Sequence, residues 1–369
     1  MTHLTQRALR GLIILPVVAA TAALPAATAF AAPAHTAKPH IKVMTRNLYL
    51  GADLTPLLSA ADPLAGIVSI VSKVEASKPD VRMGMVAHEI EAAKPDLVAL
   101  QEVANWQIPG KSPLDGTTQV VPAASYNFLT MLQNDLAAAG SPYRVVVSET
   151  NFNSATQLPA GLALLATYSD RDVILARKSA PTSLLKVTAT HAAHYTHQLT
   201  IPLSTLGVTV NFTRGYEWAD LVTKGTAWRL VNTHPEAYTP AQLGMPGADV
   251  NGPEAKELAT ALKSYKKPLV IAGDLNSAKG ETDRPAYTVF TKAGFSDTWL
   301  KLGHPDNAFT CCHNETLSGG ALTSRIDHVL TRGAVAATKA SHVGVAPESS
   351  TAPKWASDHA GVLTTLAVG

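Results

Sequence analysis

The chain has 369 residues, a formal charge of +2, 16% charged residues and two cysteines. Near-neutral charge excludes a protein that grips nucleic acid by its overall field, and so few cysteines exclude a disulfide scaffold. The length suits one large α/β or sandwich domain.

Arg7 and Arg10 precede a run of apolar and small residues over 11–30, and Ala29-Phe30-Ala31 has the small-x-small form of a cleavage site. Residues 1–31 therefore read as a secretory signal peptide cut after Ala31, with an extracellular mature protein. Pro16 and Pro25 interrupt the run, which argues against a membrane anchor. Losing Arg7 and Arg10 brings the formal charge to zero. Residues 32–40 read as a disordered Pro/Ala spacer.

A buried strand is expected over 41–48, then a helix over 80–93 after Pro79 and a strand over 96–100 after Pro95. A second helix is expected over 125–139, with strands over 143–147 and 172–176. Segments 219–222 and 227–232 flank Lys224-Gly225 as a hairpin. A helix over 253–263 follows, then a strand over 269–273 and closing strands over 326–330 and 361–366. Two stretches, 104–124 and 179–215, read as loops on one rim, placed to set substrate choice. Strands and helices mix without clean β-α-β alternation. The expected architecture is two largely antiparallel sheets packed on each other, with helices outside.

Six short segments carry the chemistry: MTRNL (44–48), LQEV (100–103), NTHPE (232–236), GDLNS (273–277), RIDHVL (325–330) and SDHAG (357–361). Four of them place Asn, Asp, Glu or His at the end of a strand-like run. Hydrolysis of a phosphate ester needs this inventory: a carboxylate for a hard metal, a base for water, and imidazole against negative charge. Glu102 is a carboxylate at a strand end, a common start for a Mg²⁺ site, and Asn47 is suited to metal or phosphate. In an extended GDLN turn, Asp274 and Asn276 point the same way, one to take a proton from water and one to orient it. His359 and Asp358 can flank a phosphate in a turn, and Asp327 can orient His359. His328 reads as an incidental strand residue, and His234 ends its strand.

The set RNLYLGADL, DLVALQEV, VNTHPE, IAGDLNS, RIDHVL and SDHAGV resembles the endonuclease/exonuclease/phosphatase superfamily, which includes DNase I, abasic-site endonucleases, neutral sphingomyelinases and inositol-polyphosphate 5-phosphatases. The resemblance covers about 41–366, and the RNLYLGADL and TCCHNETL segments look like those of exported bacterial members. The resemblance implies a four-layer α/β/β/α sandwich, dependence on Mg²⁺ (or Mn²⁺ or Ca²⁺), and phosphoester hydrolysis. It implies that Glu102, Asn47 and Asp358 serve the metal. It also implies that Asp274 and Asn276 activate water, that His359 with Asp327 contacts the phosphate, and that His234 stabilises the phosphate or protonates the leaving group. Asp170, in SDRDVILARK, falls where a DNase I-like partner of His234 is expected. Tyr49, two after Asn47, departs from abasic-site enzymes that carry Asp there.

The expected substrate is a phosphodiester, nucleic acid first and phospholipid head group second, for a monomer with no evident obligate protein partner. A catalytically silent binder of envelope components is the alternative from another class; the intact set of Glu102, His234, Asp274, Asn276 and His359 argues against it. Adjacent Cys311 and Cys312 form either a vicinal disulfide or two thiols, accessory to a reaction that needs no thiol. His191, His194 and His197 repeat every third residue but read as solvated rather than zinc ligands. Trp106, Tyr216 and Trp218 read as packing residues rather than stacking platforms.

Overall fold

The computed structural model describes residues 38–59, 63–109, 123–158, 166–181, 184–204, 206–245 and 247–369. The expected signal peptide and most of the spacer lie outside the described residues. His40, expected as the last spacer residue, opens the first strand.

Strand β1 (His40–Asn47) leads into α1 (Thr55–Ser59), α2 (Pro63–Ala76) and α3 (Pro79–Ala93). Pro79 starts α3, and Lys94 ends it in a left-handed conformation. Next come β2 (Leu97–Gln101), β3 (Asn105–Pro109), β4 (Ala123–Asn127), α4 (Phe128–Ala138), β5 (Tyr143–Asn153), α5 (Ser154–Gln157) and β6 (Thr167–Arg177). The helix expected from Ser125 starts later because 123–127 pair with β3 and the Asn127 side chain caps α4 by accepting from the Thr130 amide. The stretch expected as a loop over 179–215 is largely strand: β7 (Lys186–His194), β8 (Leu199–Leu203) and β9 (Val208–Phe212). Likewise β3 and β4 take both ends of the other expected loop, whose residues 110–122 are not described.

The hairpin β10 (Gly215–Thr223) and β11 (Thr226–Thr233) turns at Lys224-Gly225, both with positive φ. After a short 3₁₀ turn at Pro240–Leu243 come α6 (Asn251–Ala261), β12 (Leu269–Asp274), α7 (Ala286–Lys292), β13 (Ser296–Asp297) and α8 (Thr298–Lys301). The chain closes with β14 (Asp327–Arg332), β15 (Val335–Val343) and β16 (Gly361–Val368).

One sheet runs β15-β16-β1-β2-β6-β3-β4, with β5 also on β6; the other runs β13-β14-β12-β11-β10-β7. The pairs β1–β2 and β11–β12 are parallel and the remaining pairs antiparallel. Alternation along each strand builds four layers. Ile41, Val43, Leu97, Ala99 and Ile174 of the first sheet meet Ala219, Leu221, Trp228, Leu230, Val270 and Ala272 of the second in one apolar layer. The opposite faces take helices: Met44, Val98 and Leu100 pack with α3 and α4, while Val231 and Ile271 pack with α6 and α7.

The site follows from the same alternation. Continuing each inward-facing row by two residues reaches a polar group: Thr45 and Asn47 after Val43, Gln101 after Ala99, Asp172 and Asp170 after Ile174, Glu217 after Ala219, Asn232 and His234 after Leu230, Asp274 after Ala272, and Asp327 after Val329. Every one is buried. The apolar layer thus becomes polar at one end, where both sheets present their side chains. Within the second sheet Gly273 permits β12 to lie close against β11 there, because a Cβ on it would lie 2.1 Å from the Thr233 carbonyl oxygen.

Arg46 points the other way from Asn47, into the helix layer. Its fully buried guanidinium pairs with both carboxylate oxygens of Glu89 at 2.8 and 2.9 Å, and its Nη1 donates to the His359 carbonyl. Removing one partner of such a pair leaves a charge without solvent or counter-ion. Glu89→Ala is expected to cost about 3–5 kcal/mol, measured by denaturant unfolding; a loss under about 1 kcal/mol would mean water replaces the carboxylate.

Candidate active site

Glu102 follows β2 and adopts positive φ (53°), which turns its carboxylate to β1. One oxygen accepts from Asn47 Nδ2 at 3.0 Å and the other from the Leu50 amide at 2.7 Å. Asn47 Nδ2 also donates to Asp274 Oδ2 at 3.0 Å. Asp358 lines the same cavity as Glu102, together with Tyr49 and Tyr238.

Asp274 lies at the end of β12, with His234 Nε2 at 3.5 Å and His359 Nδ1 at 3.7 Å from its Oδ2. His359 Nδ1 donates to Asp327 Oδ2 at 2.9 Å. Ligand atoms of Asp274, Asp327 and His359 all lie within 4.8 Å of one another. The GDLN turn is not extended. Asn276 sits at φ 47°, its backbone N–H donates to Asp274 Oδ1 at 2.8 Å, and its amide donates to the Pro235 carbonyl at 3.0 Å. It therefore braces Asp274 and the segment after His234.

The expected contact between Asp170 and His234 is not made. The carboxylate facing His234 Nδ1 is Asp172, at 3.9 Å, while Asp170 Oδ2 lies 3.3 Å from Arg214 Nη1. Both acids share the inner face of β6, and the nearer ring belongs to the one deeper in the strand. Arg214 Nη1 also donates to His234 Nδ1 at 3.3 Å, which leaves the ring proton on Nε2, toward Asp274. Glu236 holds the far side of Arg214 at 3.2 Å.

Burial drives the electrostatics. It pushes the Asp274 carboxyl up to about 7, with Asp327 adding to the rise, and Asp358 up to about 6, with Glu102 adding. Asp170 rises to about 7 for the same reason, against the pull of Arg214. Burial lowers His234, helped by Arg214 and His359, so its ring is neutral. Burial opposes a charge on His359 too, but Asp327, Asp274 and Asp358 outweigh it and hold the ring well above the ordinary range. One neutral and one cationic imidazole thus flank Asp274.

Sequence reading missed several members. Gln101 donates to Asn232 at 2.6 Å and Asn232 to Glu217 at 2.7 Å, a polar chain between the sheets. Buried Arg82 donates to the carbonyls of Leu48, Tyr49 and Ala356, fixing the loops that carry Asn47 and Asp358. The signal for Gln101, Asp172, Glu217 and Asn232 was present: each continues an inward apolar row. Arg82 had none, being one of several charges on a helix.

Cys311 and Cys312 are paired, and Cys312 Sγ lies 4.0 Å from His359 Nε2, so their loop packs against the site. His328 is structural, bonded to Arg325 and the Ser277 carbonyl. His191, His194 and His197 face separate partners (Trp218, the Thr150 carbonyl and Glu257) and form no metal group among the described residues.

The sequence matches the endonuclease/exonuclease/phosphatase family over residues 64–359. The chain belongs to this family. Members of this family have nuclease and phosphatase activity, which supports a phosphoric ester hydrolase here. No curated protein matches the sequence. Among solved structures, a family member from Bacteroides vulgatus is similar at 16% identity and TM-score 0.54, covering 90% of this chain and 100% of its own. One from Leptotrichia buccalis is similar at 14% and 0.51, covering 88% and 99%. A mannosyl-6-phosphatase from Bacteroides thetaiotaomicron is similar at 13% and 0.50, also covering 88% and 99%. At these identities the likeness establishes the DNase I-like fold.

The family is generally dependent on a divalent metal, and the donors here fit a hard cation. Glu102 and Asp358 are oxygen ligands on one cavity, and Glu102 raises the affinity of Asp358 for its proton. A raised carboxyl keeps its proton in the folded chain where the unfolded chain, near pH 4, has lost it. For Asp358 that contribution to stability is therefore lost as pH rises from about 4 through about 6, where its ionised carboxylate becomes free to ligate. Mg²⁺ should accordingly raise the melting temperature more at pH 7.5 than at pH 5.5 and release protons on binding. Calorimetry in two buffers of different ionisation enthalpy measures both; a pH-independent effect would exclude Asp358 as a ligand.

Proposed function

We propose that the protein is a secreted, divalent-metal-dependent phosphodiesterase. The observation that carries the reading is the position of Asp274, within 3.7 Å of both imidazoles and one Asn47 amide away from Glu102. Glu102 and Asp358, steadied by Asn47, hold the ion, with Mg²⁺ the first choice and Mn²⁺ or Ca²⁺ the alternatives. When bound, the ion supplies positive charge to the phosphate and lowers the pKa of water.

The chain's own groups do the rest. Asp274, with a carboxyl near neutrality, takes a proton from the attacking water. Asn276 holds that carboxylate in place through its backbone N–H. His359, kept cationic by Asp327, faces the negative charge that develops on the phosphoryl oxygens. Neutral His234 donates from Nε2 on the other side of Asp274. Arg214, between Asp170 and Glu236, sets the His234 tautomer.

Nucleic acid is the reference substrate. A phospholipid-type diester is the second reading, favoured by the apolar cavities described below. On the best diester found with Mg²⁺, Asp274→Asn should lower kcat by about 10²–10⁴-fold with little change in KM. His359→Ala should cost a comparable factor, and the double variant little more, since both act on one transition state. Wild-type kcat with a raised KM for Asp274→Asn would favour a silent binder. Glu102→Gln should lose activity while melting normally, and full activity in excess chelator would remove the metal from the mechanism.

A further inference from the structure

Beside the carboxylates lies a cavity that the reaction above does not use. Glu102, Asp170 and Arg214 border it on one side, and Leu54, Phe152, Tyr168 and Phe212 on the other. Those four side chains also wall a second cavity, whose remaining lining includes Ile70, Trp106, Leu203 and Val210. Neither sheet builds this region alone. Helices α1 and α2 supply one wall and the separate hairpin β8–β9 another, with β8 and β9 turning Leu203 and Val210 into the core. Phe152 stacks on Phe212 at 4.9 Å, and Trp106 on Tyr168 at 4.4 Å.

In the second cavity, the polar atoms Trp106 Nε1 and Ser154 Oγ are already committed. Trp106 Nε1 donates to the Leu50 carbonyl at 2.9 Å, and Ser154 Oγ accepts from the Tyr168 amide at 2.8 Å. A nucleobase would lose hydrogen bonds to water there without replacement. A hydrocarbon would gain about fourfold in affinity per methylene buried.

We propose that the adjoining cavities seat a hydrocarbon chain of the molecule whose phosphate is held at Glu102, His234 and His359, which makes the ligand an amphiphilic phosphodiester. The proposal deepens the phosphodiesterase reading and rests on it for the position of the phosphate.

The test uses the full chain with Mg²⁺ and two diester probes, glycerophosphocholine and dodecylphosphocholine, the latter below its micelle concentration. Binding to the Asp274→Asn protein is followed by calorimetry. The dodecyl ester should bind at least about 100-fold more tightly. Val210→Trp, which fills the cavity, should remove most of that gain and leave glycerophosphocholine binding unchanged. Leu158→Trp, at a half-buried lining position, should do the same if the first variant folds poorly. Equal binding of the two probes, or a gain that survives both variants, overturns the proposal. Turnover of methyl p-nitrophenyl phosphate, which has no chain, is measured alongside on the wild-type enzyme. Its absence would count against the hydrolase reading alone, since the binding comparison does not depend on it.

Discussion

The side-chain amide of Asn47 joins the two halves of the sandwich. Its nitrogen donates to Glu102 from the first sheet and to Asp274 from the second. Two carboxylates brought together between packed sheets would repel in a medium that screens poorly. A neutral group with two N–H bonds to give can hold both without bringing a charge of its own. Its oxygen accepts from the Tyr49 amide at 2.8 Å, which fixes the rotamer. The separation of metal-side and base-side carboxylates is thus set by one amide.

Behind that bridge, the layer between the sheets holds Asp170, Asp172, Glu217, Asp274 and Asp327, all buried. Burial pushes Asp172 and Glu217 well above the ordinary carboxylate range. Unlike charges are set among them unevenly. Arg214 stands on the Asp170 and His234 side, and His359 on the Asp274 and Asp327 side. Two histidines a few ångströms from one carboxylate therefore carry different charges, and an acid and a base can coexist at one pH.

Backbone strain gathers at the same end. Tyr49, Glu102 and Asn276 all take positive φ without being glycine. Each such residue costs of order 1 kcal/mol and persists only where the surroundings over-determine it. Arg82 fixes the Tyr49 carbonyl, Glu102 is held at both oxygens, and Asn276 is tied through amide and backbone. The buried pair of Arg46 and Glu89 carries this support outward, linking α3 to the His359 carbonyl.

Local pattern in the sequence was enough for the central strands, helix α3 with its Pro79 start, the Lys224-Gly225 hairpin and the identity of the polar strand ends. These depend on period-two and helical spacing and on turn chemistry, which a short window contains. The segment over 179–215 was not legible as strand, because β7 is an exposed edge and β8–β9 gains its apolar contacts from distant helices. The choice of Asp172 over Asp170 beside His234 was likewise beyond the sequence. Two acids on one face of a strand are equivalent until the opposite sheet sets which ring faces which carboxylate. So the sequence by itself determined which groups reach the polar end of the sandwich. Sheet-on-sheet packing decided their partners, their protonation and the apolar cavities beside them, because burial and distance between remote segments exist only in the folded chain.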